Sequence, residues 1–420
     1  MSERIIIENF LGLKNIDMEV RDINILIGPQ ATGKSVIAKL LYYFKDSMFE
    51  FSNPENTSKL ESVFNIILID KFFKYFPNKF LGASEFKIRY EIDKAYIEIK
   101  RNNENKQLVD IYYSDDFSDL RTEFQKELNE RKDHHVELQQ DWFTIQTKNI
   151  EKAKQKLGTL SAFKQLFIPA GRSFYSIVQK NIFTLVSNND TLDPFLTNFG
   201  SFYERMKKSI FIETPNDKKE PLKEIEKLMN QLLSGTYVRE KDEDYINLND
   251  GRRISIANAS SGQQEILPLN IVLSAFIKID RLYKYTIYIE EPEAHLFPTS
   301  QKHIVELIAS TYNISTKLPL QFFITTHSPY ILTSLNNLIQ AGILQKKFLS
   351  ENPEKLEALY KIVPKEQMID PEKVAAYTLE NGKLISLLDK KYQIMNADSI
   401  DDVSDELGVT FDSLVDMEYK

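Results

Sequence analysis

Gly28, Gly33, Lys34 and Ser35 stand in the spacing G-x-x-x-x-G-K-[ST], within GPQATGKS over residues 28–35. Two glycines let a backbone wrap closely around phosphate, so that successive N–H groups and the start of a following helix face negative charge. Pro29, Gln30, Ala31 and Thr32 fill the loop between them. The Lys34 ammonium suits β- and γ-phosphates, and the Ser35 hydroxyl suits Mg²⁺, so ATP is the expected substrate. Hydrolysis needs acids beside such a cradle. Glu290 and Glu291 follow the apolar run Tyr285–Ile289, and the C-terminal ends of strands are where open α/β sheets bind ligands. Glu290 is expected to support the metal through water, and Glu291 to orient and polarise the attacking water. His327 follows another strand-like stretch, FFITT, and is placed to sense the γ-phosphate.

A second anion-binding candidate is NASSGQQE, Asn258–Glu265, in which Ser260, Ser261, Gly262 and Gln263 precede the apolar pattern Ile266, Leu267, Leu269, Ile271 and Val272. Such a helix start has no use inside one ordinary phosphate-binding domain, but it makes sense if it reaches the γ-phosphate held by another copy of the chain. Taken alone, the same spacing also fits a capping box.

The elements that must position these groups can be traced along the chain. Arg4–Phe10, Ile16–Val20 and Ile23–Ile27 read as strands feeding the loop, and Val36–Phe44 as an amphipathic helix leaving it. Alternation from Phe86 to Ser114 predicts an antiparallel meander, and the charged, Gln-rich residues 117–157 predict a helical hairpin too short for a coiled-coil arm. FKQLFIPAGRSF, 163–174, returns to a buried strand; 191–233 reads as helical; and 284–330 alternates strand, helix and strand. The fold class is therefore α/β: a P-loop NTPase with a mixed sheet, an antiparallel β subdomain and a helical insertion. The expected divisions are 1–116, the helical insertion 117–160, the ATPase continuation 161–340, and a C-terminal α/β subdomain 341–420.

Composition narrows the class further. Lysine and arginine number 53 against 61 aspartates and glutamates, a net charge of −8, which gives no whole-surface reason to expect nucleic acid. With no cysteine among 420 residues, disulfides and thiolate-metal sites are excluded, as suits a reducing compartment. The N-terminal apolar run is too short for a signal peptide or membrane span, so a cytoplasmic, membrane-free protein is expected.

The ordered set Gly28–Ser35, Ser260-Ser261-Gly262-Gln263, Glu290-Glu291-Pro292 and His327 resembles the ABC-type ATPase heads of SMC-like, RecF-like and OLD-family proteins. In particular it resembles AAA-family ATPases of the OLD-like group, found in anti-phage modules such as PARIS or Septu-like systems. IENFLGLKNI, IPAGRS, VAAYTLENGKLISL and DELGVTFDSLVDMEY carry the likeness over nearly the whole chain. The resemblance implies that Ser260–Gln263 is a signature acting in trans, that Glu293–Leu296 is the loop coupling facing sites, and that Arg172 or Gln179 bridges the lobes. Gln30 stands where many relatives have Asn, and Glu290 where Asp is more usual. OLD-type nucleases continue into a TOPRIM domain, whereas here only residues from Ile331 onward follow. Asp401, Asp402 and Asp405 lack its Gly-rich strand and Glu and read as a solvated helix start.

The resemblance implies a homodimer or higher oligomer joined by ATP sandwiches, acting as sensor and scaffold for a separate effector, a TOPRIM or HNH nuclease released by a phage trigger protein. The alternative is a DNA-repair or chromosome-associated ATPase that binds duplex DNA directly, with Lys152, Lys154, Lys156 and Lys164 as its surface. A transporter subunit is disfavoured by the Lys45–Leu160 insertion.

Overall fold

Alternating apolar residues build the first hairpin, β1 (Glu3–Phe10) and β2 (Leu13–Val20), and the fully buried run of β3 (Ile23–Ile27) leads to the phosphate loop. The computed structural model describes residues 2–82, 84–101, 109–133, 138–178, 193–209, 219–241, 243–278, 283–315, 318–389, 391, 393–395, 408–415 and 417. Gln179, Asp401, Asp402 and Asp405 lie outside those residues, as does the polar break at 215–218.

The meander appears as β4 (Phe86–Ile92), β5 (Ala95–Arg101) and β6 (Asp110–Tyr113). It is followed by β7 (Lys164–Ile168) and by a small hairpin sheet of β8 (Gly235–Glu240), β9 (Glu243–Leu248) and β10 (Arg253–Ser255). Then come β11 (Tyr285–Glu290), β12 (Leu320–Thr326), β13 (Val374–Glu380) and β14 (Lys383–Ser386). Among the described residues an eleven-stranded sheet runs β6-β5-β4-β1-β2-β14-β13-β3-β12-β11-β7. Its core, β13-β3-β12-β11-β7, is parallel throughout, and β6-β5-β4-β1-β2 is an antiparallel wing.

Strand period two sorts side chains onto two covered faces, as buried parallel sheets require. Ile23, Ile25, Ile27, Ile287, Ile289, Phe322 and Ile324 join one core with helices Lys219–Leu233, Ser261–Lys278 and Pro298–Ile314. Leu26, Tyr288 and Phe323 join the opposite core with helices Lys34–Phe51 and Glu61–Tyr75 and the wing. The insertion is a pair of helices, Asp115–Asp133 and Leu138–Leu157, and Phe117, Leu120, Phe124 and Leu157 bury it against that second core.

The chain differs from the expected divisions at its end. The 340/341 boundary falls inside the helix Pro329–Glu351, and β13 and β14 lie within the large sheet instead of forming a subdomain of their own. Pairing of β13 with β3 is physically favoured because β3 would otherwise end the parallel core as an open edge.

Candidate functional site

β3, β12 and β11 are adjacent and parallel, with register Ile27↔Thr326 and Glu290↔Thr325. The cradle, His327 and the acidic pair therefore leave the same end of the sheet side by side. Sequence alone ordered these groups along the chain; the sheet places β12 between the cradle strand and the acidic strand.

Gly33 immediately precedes the helix Lys34–Phe51 in a left-handed conformation, φ +103°, and a side chain there would meet Leu13 at 2.7 Å. No side chain caps that helix, and its first turn holds no acid. Its leading N–H groups thus face the loop, the arrangement that binds anions. Pro29, Gln30, Ala31 and Ser35 are exposed, Thr32 is half-buried, and the Thr32 hydroxyl donates to the Pro29 carbonyl at 3.0 Å. The Lys34 ammonium is buried and donates to the carbonyls of Gly28 and Pro29, 2.6 Å each. Burial lowers its pKa, opposed by the charges of Glu291 and Glu293. Phosphate oxygens would compete with those carbonyls for the ammonium.

Glu290 is buried at the end of β11, its carboxyl close to Ser35, and its Oε1 has no hydrogen-bond partner. Desolvation raises its pKa, and the Ser35 contact partly offsets that. A hydroxyl beside a buried carboxylate with an unused oxygen suits a hard cation, so Ser35 and Glu290 fit Mg²⁺.

Glu291 turns the chain out of the strand with φ +43°, a conformation costing a non-glycine residue about 1–2 kcal/mol. Its N–H donates to the Thr325 carbonyl at 2.8 Å, and its own carbonyl accepts from Arg172 at 3.0 Å. The result is a half-exposed carboxylate at the strand end, with Oε1 3.7 Å from His327 Nδ1. Glu293, expected only as the start of the loop coupling facing sites, is buried and ties the histidine down. Its Oε1 accepts from the Thr326 hydroxyl at 2.6 Å and the His327 N–H at 2.9 Å, and lies 3.3 Å from His327 Nδ1. Holding Nδ1 against carboxylates leaves Nε2 as the ring nitrogen available to a ligand.

The Ser260–Gln263 stretch lies elsewhere. It opens the helix Ser261–Lys278 as a capping box: Ser260 N–H and Oγ both reach Gln263 Oε1 at 3.1 Å, and Gln263 N–H reaches Ser260 Oγ at 3.3 Å. Gln263 Nε2 also donates to the Leu233 carbonyl at 2.7 Å. Ser260 and Ser261 are exposed; Gly262 packs so close that a Cβ would come 2.8 Å from the His295 carbonyl. Ser260, Gly262 and Gln263 line a cleft of about 530 Å³ with Asp250, Arg252, His295 and Phe297, and no residue of 28–35 borders it.

Arg172 is the most buried charge near the acidic pair, and it holds both Glu290 and Glu291 by their carbonyls. Its partner Glu265 escaped the sequence reading because it sits in the apolar helix pattern, although a buried acid there was the available signal. The lysines of the alternative surface are mostly engaged. Lys152 pairs with Glu123 (2.5 Å) and Glu127, Lys154 with Glu151, and Lys156 lies 4.0 Å from Glu123. Lys164 lies over the Tyr283 ring at 4.1 Å, and burial lowers its pKa.

A glycine-framed cradle at a helix start, with acids and a histidine on the neighbouring strand ends of a parallel sheet, defines a P-loop nucleotide-binding protein of the α/β class. The family described as AAA ATPase domain matches residues 1–332, and the chain belongs to that family, whose substrate is ATP. No curated protein matches it. Among solved structures it is similar to an SMC head bound to the C-winged helix domain of ScpA, 12% identical over 92% of this chain and 97% of that one, with a TM-score of 0.43. It is also similar to the SMC head domain from Thermotoga maritima, 11% identical over 92% and 97% of the two chains, TM-score 0.40. A third is the recombination mediator protein RecF, 12% identical over 92% and 98%, TM-score 0.34. Among the described residues no helix is long and apolar enough to cross a membrane.

Proposed function

We propose that the protein binds and hydrolyses ATP with Mg²⁺, and that two chains pair face to face with each nucleotide held between the cradle of one and Ser260–Gln263 of the other. The observation that carries this reading is the contact of Ser35 with a buried Glu290 whose second oxygen is unpartnered, beside Glu291 and His327. The pairing is supported by the separation of the Ser260 cleft from the cradle within one chain.

Lys34 and the uncapped helix start bind and orient the triphosphate. Ser35 and Glu290 would hold Mg²⁺, which when bound would supply charge neutralisation at the phosphates. Glu291 takes a proton from water as the water oxygen bonds to the γ-phosphorus and the bond to the β,γ-bridging oxygen breaks, leaving ADP and phosphate. His327 donates toward the γ-phosphate, held in place by Glu293. Loss of the γ-phosphate removes the group that joins the two chains, so hydrolysis opens the pair.

Glu291→Gln keeps the shape of the side chain and removes the base. Turnover should fall about 100-fold while nucleotide affinity is retained, and the ATP-bound pair should accumulate in mass measurements. Unchanged turnover in this variant would remove Glu291 from the role of base.

The output is assigned, on the sequence resemblance, to a separate nuclease effector in anti-phage defence. Co-purification with a neighbouring gene product tests it, and salt-sensitive duplex affinity of the isolated protein would favour direct DNA binding instead. Among the described residues, Lys152, Lys154 and Lys156 each lie within 4.0 Å of a glutamate, so direct DNA binding through them would compete with those pairs.

A further inference from the structure

The helix at residues 408–415 turns apolar side chains into solvent. Phe411, Leu414 and Val415 follow the spacing that sets one face of a helix, whereas Asp412 and Ser413 fall off that face. Phe411 is 65% exposed and Leu414 61%, and Val409 and Met417 beside them are exposed as well. So short a helix is marginal in water, and an apolar stripe of this kind is stabilised by lying in a groove.

A groove of about 590 Å³ opens on the same chain, between the helices Lys219–Leu233, Pro298–Ile314, Pro329–Glu351 and Pro353–Ile362. Leu228, Leu338 and Leu359 form its buried floor, and Ile362 stands 79% exposed at its lip. Lys227 and Lys302 border it, each 3.5 Å from a glutamate, Glu224 and Glu306 respectively. The chain leaves the body beside this groove. Met395 donates its N–H to Asn336 Oδ1, and its carbonyl accepts from Asn336 Nδ2, 2.8 Å each. The next residues of that helix, Asn337 and Leu338, line the groove. Residues 396–407 connect Met395 to the exposed helix, and a stretch of that length reaches at most about 45 Å.

We propose that Phe411, Leu414 and Val415 of one chain dock in the groove of a second copy, and that the second copy returns the contact. Helix and groove belong to one chain, so a twofold pair satisfies both at once. An axis passing close to Asn336 would bring the two exits and the two grooves together, within reach of residues 396–407. The chain's own groove is the lesser candidate, because the helix stays bare in the single chain although the groove opens beside its exit. No residue of 28–35 or 260–263 takes part, so this contact joins chains without nucleotide and stands apart from the ATP reading.

The test uses the full-length chain without nucleotide, carrying Ser260→Arg so that the nucleotide sandwich plays no part. The native chain has no cysteine, so every thiol is an introduced one. Lys361→Cys, next to the groove, is placed in one chain and Met417→Cys in another of different tagged mass, and the mixture is treated with a short bismaleimide. The joined product should contain one chain of each kind. Adding Phe411→Asp to the Met417→Cys chain should cut its yield about tenfold, and Phe411→Leu should restore it. Phe411 is exposed in the single chain, so an unchanged melting temperature is expected for the Asp variant. A chain carrying both thiols that is joined only to itself, at every protein concentration, overturns the inference and assigns the helix to its own groove. A yield that Phe411→Asp leaves unaltered, or no product from well-folded chains, overturns it as well.

Discussion

Glu290 is held with its carboxyl against Ser35 and one oxygen buried without a partner, an arrangement that penalises its charged form. Its pKa in the folded chain lies above the ordinary 4.5, chiefly through desolvation. A carboxyl that holds its proton more tightly when folded favours the folded state at low pH, and that advantage is lost as pH rises from the unfolded value through the folded one. Glu290→Gln stays neutral and escapes the loss. Without Mg²⁺ and nucleotide it should melt above the native protein at pH 7.5, with the difference shrinking as pH approaches 4.5; a lower melting temperature at pH 7.5 would contradict the burial argument. Lys34 is the opposite case, a cation already turned into the loop by two carbonyls. Lys34→Ala should weaken ATP binding by about 10- to 100-fold in calorimetry, the loss of one or two charge-assisted contacts, with little change in melting temperature.

The two helix starts divide the work between elements. The cradle helix is uncapped, whereas the helix at Ser261 is closed by Ser260 and Gln263. Between them stands Arg172, and Arg172→Ala would leave the Glu265 carboxylate buried without its cation. Such breaks typically cost about 3–5 kcal/mol, so urea unfolding should show a loss of that order, and a loss below about 1 kcal/mol would show that the pair is replaceable. The strands that carry chemistry were legible because each is a short apolar run ending in a polar group: Ile23–Ile27 before Gly28, Tyr285–Ile289 before Glu290, Leu320–Thr326 before His327. The β8–β10 sheet was not, since TYVREKDEDYINL mixes charges into both faces and blurs the alternation that marks a strand. Nor was the Arg172–Glu265 pair, which links residues distant in sequence and depends on packing that no local pattern encodes.

At the scale of the whole molecule, β13 belongs to the nucleotide site even though it begins beyond residue 332, where the family match ends. It covers β3 along Val374↔Ile23 to Thr378↔Ile27, and Thr378 stands so near Gly28 that a Cβ there would meet its hydroxyl at 3.1 Å. That pairing was hidden from the sequence because two strands at opposite ends of the chain share no local signal. A chain ending at residue 340 would open the β3 edge and strip Val374 and Ala376 from the core, and it should be recovered insoluble. Soluble, ATP-binding protein from that truncation would contradict the placement of β13. The central claim, that one catalytic site is built from two chains, is tested most directly by mixing two disabled variants. Lys34→Ala retains its signature and Ser260→Arg retains its cradle, so each alone should be nearly inactive. An equimolar mixture, exchanging partners at random, should recover about a quarter of native ATPase activity through the one intact site of each mixed pair. No recovery on mixing two well-folded variants, or full activity of Ser260→Arg alone, would contradict it.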